Sequence, residues 1–396
     1  MKKKLLHTPE GVRDIYNEEC EKKLILQEHL HQVLKTYGYH PIQTPTFEFF
    51  DIFGKEIGTT PSKELYKFFD REGNTLVLRP DITPSIARAA AKYFMDEDMP
   101  IRLSYMGNTF INNSSYQGRL KESTQLGAEL IGDKTVDADA EILAMVVECL
   151  KAAGLKEFQI SVGHAEFFQG LLEAAGITED AEEELRLLIS NKNFFGVEEL
   201  VETLEMSAEL RQLFGMLGNP DTSMEELAKA KELAKAYPRI LTAVENLQAI
   251  YQVLESYGVT KYISIELGII SSYQYYTGIL FAGYTFGSGE AIVKGGRYDK
   301  LLTYFGKKSA SIGFAIVVDQ LMAALSRQKI EIAVPDNGEL IVYTTEYQTE
   351  AIASAKGKRS AGLCVELIAK DETKSKADYE AYAARNRITK ITFMGV

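Results

Sequence analysis

Two polar side chains that could contact a ligand lie in a segment that otherwise has the pattern of a sheet strand. Between residues 123 and 131 aliphatic side chains alternate with polar or small ones. Successive side chains of a strand point to opposite faces, so this period of two places Gln125 and Glu129 together on one face. An amide beside a carboxyl group can hydrogen-bond a small polar molecule. The same pair can also form the solvated face of an antiparallel strand, and the pattern alone leaves both interpretations open.

Thr83 is a third polar position with two interpretations. It precedes Pro84, and a hydroxyl residue followed by proline is typical of a helix N-terminus. The spacing of Ile86, Ala90 and Phe94 predicts that a helix follows. Thr83 therefore either caps this helix or turns its hydroxyl group toward a ligand.

Metal chemistry is not predicted. The three cysteines, Cys20, Cys149 and Cys364, lie far apart, and the five histidines form no pair with metal-ligand spacing. We expect no metal and no cofactor, and the sparse cysteines fit a reducing cytoplasm. No apolar run approaches 18 residues and no apolar secretory segment follows the basic N-terminus, so we predict neither a membrane span nor a signal peptide.

The elements that position these residues fall into three parts. Strand and helix patterns mix up to residue 164 and again over residues 259–330, and together these stretches form the predicted core. Residues 165–258 have helical periodicity throughout and predict a helical insertion, which Gly258 ends. In the second part of the core we predict strands at Tyr262–Leu267, Ile279–Thr285 and Ala291–Val293. We predict helices at Tyr298–Tyr304 and Ile312–Ser326.

The third part follows a linker. Pro335-Asp336-Asn337-Gly338 is rich in turn-forming residues. Beyond it, strand and helix patterns alternate to the end of the chain. We therefore predict a small α/β domain over residues 338–396.

Six segments together resemble class II aminoacyl-tRNA synthetases, and histidyl-tRNA synthetases in particular. They occur in the family's order from Thr8 to about Ser326. The segments are Thr8–Asp14, Thr44–Glu48, Leu78–Thr83, Gln125–Gly132, Tyr275–Gly278 and Gly295–Asp299. The resemblance implies an α+β fold: a class II synthetase-like antiparallel sheet with flanking helices, a helical insertion, and a truncated anticodon-binding-like α/β domain.

The resemblance also implies a histidine pocket. Such a pocket hydrogen-bonds an ammonium group and both imidazole nitrogens, and buried polar groups matched to a ligand discriminate more strongly than apolar fit. The matching residues are Asp81, Thr83, Gln125, Glu129, Tyr275 and Tyr276. Asp81 replaces the family's usual glutamate, and this shorter acid would weaken or shift binding. A tyrosine pair in a strand is also typical of a core.

The nucleotide side of the site departs from the family. Class II synthetases clamp ATP with arginines, whose planar fork binds phosphate at two points. At the matching positions this chain has Ile111, Gln320 and Ser271, and Asn113 replaces a glutamate. Losing one preorganised donor typically raises a barrier by about 2.7–4 kcal/mol, although such losses are not additive. We therefore predict that the chain cannot adenylate histidine efficiently.

Two arginines, Arg119 and Arg297, remain near the matching segments. Either can bind an anion, and either can equally form a structural ion pair. The two interpretations stay open at this stage.

In lacking these arginines and in having a short tail, the chain resembles the histidyl-tRNA-synthetase-like regulatory subunits of ATP phosphoribosyltransferase. That resemblance implies a non-catalytic chain that dimerises around Pro45 and assembles four plus four with a short catalytic subunit. It also implies that histidine inhibits the complex in the first step of histidine biosynthesis. The alternatives are an ATP-dependent ligase and a stand-alone histidine or tRNA sensor. The net charge of −12 disfavours nucleic acid as a partner.

Overall fold

An eight-stranded sheet forms the centre of the larger of two units. The structure, a computed structural model, describes residues 6–54, 60–113, 120–270 and 276–396. It divides into the units Met1–Glu331 and Ile332–Val396. The strands are β1 His40–Pro41, β2 Phe47–Phe49, β3 Lys67–Phe69, β4 Thr75–Leu78, β5 Ile101–Phe110, β6 Glu122–Ile131, β7 Phe158–His164, β8 Ile263–Ile265, β9 Ile279–Thr285, β10 Val293–Arg297, β11 Ser311–Val317, β12 Glu339–Tyr343, β13 Val365–Ala369 and β14 Lys390–Met394.

Helices occur in both units, and six of the α-helices lie within residues 165–258, the predicted insertion. The α-helices are α1 Asn17–Thr36, α2 Thr83–Tyr93, α3 Val136–Ala152, α4 Ala165–Ala175, α5 Glu179–Ser190, α6 Phe194–Glu202, α7 Ala208–Gly215, α8 Met224–Leu233, α9 Pro238–Tyr257, α10 Val318–Arg327, α11 Gln348–Ser360 and α12 Lys376–Arg385. Helix α9 ends at Gly258, which adopts the left-handed conformation with φ 67°. Glycine favours that conformation because it has no Cβ. Among the described residues, no helix is both long and apolar enough to cross a membrane.

The strand order of the large sheet is β1-β5-β6-β11-β10-β9-β7-β8. The two outermost pairs, β1 with β5 and β7 with β8, are parallel, and the pairs between them are antiparallel. Helix α2 and the residues around Tyr298 pack on one face of the sheet in a common apolar cluster. A separate antiparallel sheet has the order β2-β4-β3.

Two helix predictions in the second part of the core were wrong. Ile312–Ser326 begins as strand β11, and the helix starts only at Val318. This strand lies in the middle of the sheet, and its residues are buried almost continuously, so they do not alternate between polar and apolar. The predicted helix Tyr298–Tyr304 is only a short 3₁₀ helix, Leu301–Phe305.

The smaller unit is a parallel three-stranded sheet with the order β13-β12-β14. Apolar clusters lie on both of its faces. Helix α12 contributes Tyr379 and Ala383 to one cluster, and helix α11 contributes Ala351 and Ala355 to the other. A parallel sheet needs this cover on both sides.

Candidate functional site

The carboxyl group of Glu129 lies at the centre of the candidate site. Glu129 is on β6 between β5 and β11, and it is only 1% exposed. The Thr83 hydroxyl group donates a hydrogen bond to Oε1 at 2.7 Å. The Tyr298 hydroxyl group donates to Oε2. Tyr105, which is also buried, lies within hydrogen-bonding reach of the same carboxyl group. Three hydroxyl side chains therefore converge on one buried acid.

The strand next to β6 leaves room for this acid. Gly313 on β11 is paired with Glu129, and a Cβ atom at position 313 would overlap the Glu129 carboxyl group. Gly127 is packed in a similar way, because a Cβ atom there would lie 2.6 Å from the Tyr105 hydroxyl oxygen. Glycine at these two positions lets the polar cluster form inside the sheet.

No salt bridge to Glu129 is found among the described residues. Burial raises the pKa of Glu129 to about 8. Hydrogen bonds from Tyr298 and Thr83 act in the opposite direction, while the negative charge of Asp81 raises the pKa further. A buried acid that accepts hydrogen bonds and lacks a cationic partner is suited to a ligand that brings hydrogen-bond donors or positive charge.

The side chain that satisfies the start of α2 belongs to Asp81 and not to Thr83. The carboxylate of Asp81 accepts hydrogen bonds from the backbone N–H groups of Ile82 (2.7 Å) and Thr83 (3.4 Å) at the start of α2. The N-cap residue is Ile82, whose side chain makes no capping hydrogen bond. The Thr83 hydroxyl group is thus available for Glu129 because a neighbouring acid satisfies the helix terminus.

Gln125 and Tyr276 complete the described part of the predicted pocket. The Gln125 Oε1 atom is buried and has no hydrogen-bond partner among the described residues. Such an unsatisfied acceptor is uncommon in a folded protein and is suited to a ligand donor. The Tyr276 ring packs against the cluster that contains Ile82 and Tyr298. Tyr275 lies outside the described residues, and the histidine contact of all six residues stays a prediction.

On the predicted nucleotide side of the site, neither of the two described positions that match the family's arginines holds a cation. Ile111 follows β5, and Gln320 lies in the first turn of α10. The carboxylate of the neighbouring Asp319 accepts hydrogen bonds from Lys23 Nζ at 2.7 Å and from the Thr124 backbone N–H at 2.6 Å. Ser271 and Arg119 lie outside the described residues.

Arg297 is engaged by the protein itself. Its guanidinium group forms a salt bridge of 2.7 Å with Asp139 and donates to the backbone carbonyl oxygens of Asp133 and Thr135. It also contacts Asp299 at 3.4 Å, and the Arg297 side chain is only 7% exposed. These contacts use the donors that an anion would need. Of the two interpretations, the geometry favours the structural ion pair.

Sequence reasoning missed Tyr105, Tyr298 and Gly313 as parts of the site. Tyr298 lies inside the segment Gly295–Asp299, so its place in that segment was an available signal. Tyr105 and Gly313 are brought to Glu129 only by strand pairing between β5, β6 and β11. Register across a sheet is not visible in a single chain sequence.

We predict that Gly313→Ala lowers the free energy of unfolding by about 1–3 kcal/mol, since the new methyl group overpacks against the Glu129 carboxyl group. Urea unfolding measures the change. Gly215→Ala is the control, because a Cβ atom there meets nothing within 4 Å. In the background Glu129→Ala the penalty should shrink, as expected for residues in contact. Equal penalties in both backgrounds would show that the two residues do not compete for space.

Comparison with known proteins identifies the family. Residues 11–321 match the family described as histidyl-tRNA synthetase. An ATP phosphoribosyltransferase regulatory subunit from Acetivibrio thermocellus is 40% identical over 369 residues, which cover 91% of this chain and 86% of that protein. The chain belongs to the family of ATP phosphoribosyltransferase regulatory subunits. A regulatory subunit from Ruminiclostridium cellulolyticum is 38% identical over 393 residues, which cover 98% of this chain and 92% of that protein.

Solved structures of regulatory subunits and synthetases share this fold. An ATP phosphoribosyltransferase regulatory subunit/histidyl-tRNA synthetase from Bacillus halodurans superposes with a TM-score of 0.87 at 31% identity and covers 99% of both chains. Histidyl-tRNA synthetase from Nostoc superposes with a TM-score of 0.79 at 22% identity, and the match covers 97% of this chain and 90% of the synthetase. At this identity the match supports only the fold. The predicted family and the predicted class II synthetase-like α+β fold are both confirmed.

Proposed function

We propose that this regulatory subunit is non-catalytic, activates a short catalytic ATP phosphoribosyltransferase subunit, and makes the complex sensitive to histidine. The reaction would be the first step of histidine biosynthesis, in the cytoplasm. One observation carries the proposal. The hydroxyl groups of Thr83 and Tyr298 donate to the buried carboxyl group of Glu129 in the proposed amino-acid pocket. Ile111 and Gln320, in contrast, occupy positions where a synthetase would hold ATP with arginines.

Histidine fits the donor and acceptor pattern of the pocket. The protein offers acceptors at Glu129, Asp81 and Gln125, and it offers an aromatic surface at Tyr276. The ligand must then supply several donors and a flat ring. Histidine supplies an ammonium group and an imidazole N–H. Matched polar groups of this kind separate histidine from apolar amino acids far better than pocket size alone.

The helical insertion disfavours tRNA as a ligand. Residues 165–258 contain 18 acidic and seven basic residues, so their formal charge of −11 accounts for nearly all of the chain's −12. Nucleic-acid binding depends on cations that replace the counterions of the phosphates. The insertion would repel a phosphate backbone at physiological salt.

Histidine-dependent pyrophosphate exchange separates this proposal from the ligase alternative. We expect the purified chain to show no exchange above background, because no arginine is present at positions 111 and 320 to stabilise the charge on the phosphates. An active histidyl-tRNA synthetase assayed in parallel provides the positive control. Robust exchange that requires both histidine and ATP would overturn the proposal.

A homodimer within a four-plus-four complex is the proposed assembly. The small sheet β2-β4-β3 presents an apolar face near Pro45. Phe47 and Phe49 are 51% and 56% exposed, and the ring of Phe68 packs edge-on against Phe47 at 5.8 Å. Strand pairing places Leu76 between Phe49 and Phe68 on the same face. A contiguous apolar surface of this kind is typical of an interface between subunits.

A further inference from the structure

The helical hairpin formed by α5 and α6 carries two large apolar side chains that are exposed at its turn. Leu187 lies in the last turn of α5 and is 62% exposed, and Phe195 lies in the first turn of α6 and is 70% exposed. The two helices meet next to these residues, because a Cβ atom at Gly196 would lie 2.8 Å from the Leu188 side chain. Leu187 and Phe195 therefore lie at the same end of the hairpin.

Carboxylates extend along both helices from these apolar side chains. On α5 three acids lie three, four and seven residues before Leu187, and on α6 three acids lie three, four and seven residues after Phe195. Residues with this spacing share one side of a helix, and all six acids are exposed. Together with the two apolar residues they form a surface that we call the hairpin face. Its residues are Asp180, Glu183, Glu184, Leu187, Phe195, Glu198, Glu199 and Glu202.

The basic residues of the hairpin do not balance the charge of the hairpin face. Residues 179–202 contain eight acidic residues and two basic ones, which gives a formal charge of −6. Arg186 pairs with Glu182, and Lys192 pairs with Glu266, and neither of these acids belongs to the hairpin face. Within the described part of the chain, the six acids of the face form no salt bridge. The face thus presents six carboxylates around two apolar side chains.

Helix stability does not explain the acids on α6. The last turn of this helix contains Glu199 and Glu202 and no basic residue, although a carboxylate there interacts unfavourably with the helix dipole. Glu198 and Glu202 also lie four residues apart, where two like charges destabilise a helix. The exposed ring of Phe195 buries little apolar area within the chain. Because these residues cost α6 stability, a contact outside the chain explains them better.

The charge of the hairpin face disfavours several kinds of partner. A second copy that docked through the same face would place like charges opposite each other, which opposes binding. The phosphates of a nucleic acid and of an anionic lipid surface carry the same sign of charge as the face. A protein surface fits if it has an apolar pocket surrounded by lysines or arginines, since stable interfaces combine an apolar centre with a polar rim.

We propose that the hairpin face docks on the catalytic subunit, with Leu187 and Phe195 in an apolar pocket and the six carboxylates against a basic rim. This inference rests on the proposed function, which supplies that subunit as the partner. The carboxylates would speed the encounter of the two proteins, and the apolar pair would slow their separation. The hairpin face shares no residue with the Glu129 pocket or with the apolar face of the β2-β4-β3 sheet.

The association rate tests the carboxylates. The full chain is passed over an immobilised short catalytic ATP phosphoribosyltransferase subunit, and the association rate constant is measured at several salt concentrations. One variant combines Glu198→Gln, Glu199→Gln and Glu202→Gln, which keep the side-chain size. We expect its rate constant to be at least tenfold lower at low salt and to depend less steeply on salt. The matched control neutralises three exposed acids elsewhere in the insertion, by Asp221→Asn, Glu225→Gln and Glu255→Gln.

The dissociation rate tests the apolar pair. Leu187→Ser combined with Phe195→Ser should raise the dissociation constant at least tenfold, or about 1.4 kcal/mol, mainly through faster dissociation. The control combines Leu24→Ser with Phe286→Ser, because these side chains are 59% and 80% exposed outside the insertion. Circular dichroism checks that each variant is folded, and histidine binding to the chain alone should stay at the wild-type level.

The outcomes separate this inference from the proposed function. Slower association of the glutamine variant and faster dissociation of the serine variant, with unchanged controls, would support the inference. If the wild-type chain binds and activates the catalytic subunit while both hairpin variants behave like their controls, the inference fails and the proposed function stands. If the wild-type chain does not bind the catalytic subunit, both fail.

Discussion

Glu129→Ala is expected to weaken histidine binding by about 100-fold or more, equivalent to about 2.7 kcal/mol. The substitution removes a buried acceptor and leaves the hydroxyl groups of Thr83 and Tyr298 without their partner. Losing one member of a buried hydrogen-bonded set costs the desolvation of the groups left behind as well as the lost contact. Calorimetry on the purified chain measures the affinity, and the assembled transferase should remain active while losing its inhibition by histidine.

Glu157→Ala is the control for this variant, since Glu157 is an exposed acid outside the pocket. Wild-type inhibition of a folded Glu129→Ala complex would show that histidine acts elsewhere.

Urea unfolding provides an independent readout of the same carboxyl group. The folded-state pKa of about 8 lies above the ordinary value of 4.5. Between these values the folded chain holds a proton that the unfolded chain has lost, so the free energy of unfolding falls as pH rises. Glu129→Gln should remove that contribution.

Phe47→Glu combined with Phe68→Glu is expected to convert the proposed dimer to a monomer. The two rings contact each other on the apolar face of the β2-β4-β3 sheet, and a pair of carboxylates at a buried interface would be desolvated without partners. We expect the dimer dissociation constant to rise at least 100-fold by analytical ultracentrifugation. The monomer should also fail to form the proposed four-plus-four complex.

The matched control is Phe286→Glu, at a side chain that is 80% exposed outside this sheet. Circular dichroism checks that both proteins remain folded. A doubly substituted chain that stays dimeric at low micromolar concentration would place the interface elsewhere on the surface.

The site residues that could be predicted from the sequence are those whose side-chain type and motif point to ligand binding. Asp81, Thr83 and Glu129 were selected from short segments that lie far apart in the chain, and the structure brings them together at one end of α2. Strand β11 was missed because its residues are buried almost continuously and show no alternation between polar and apolar side chains. The space at Gly313 and the hydroxyl group of Tyr105 depend on register between strands, and the ion pair of Arg297 depends on the position of α3.

The role of Thr83 shows why a local pattern can mislead. Threonine before proline is a good capping signal, but capping is a competition between neighbouring polar groups. Asp81 accepts hydrogen bonds from the backbone N–H groups of Ile82 and Thr83, so the Thr83 hydroxyl group donates to Glu129 instead. Only the relative positions of the side chains decide that competition.

The most direct test is to reconstitute the transferase from its parts. A short catalytic ATP phosphoribosyltransferase subunit is purified alone and together with this chain, and the complex mass and the rate of phosphoribosyl-ATP formation are measured with and without histidine. We predict a catalytic subunit that is nearly inactive alone, a four-plus-four complex that is active, and inhibition by histidine only when this chain is present. A catalytic subunit that is fully active and fully inhibited by histidine without this chain would contradict the account.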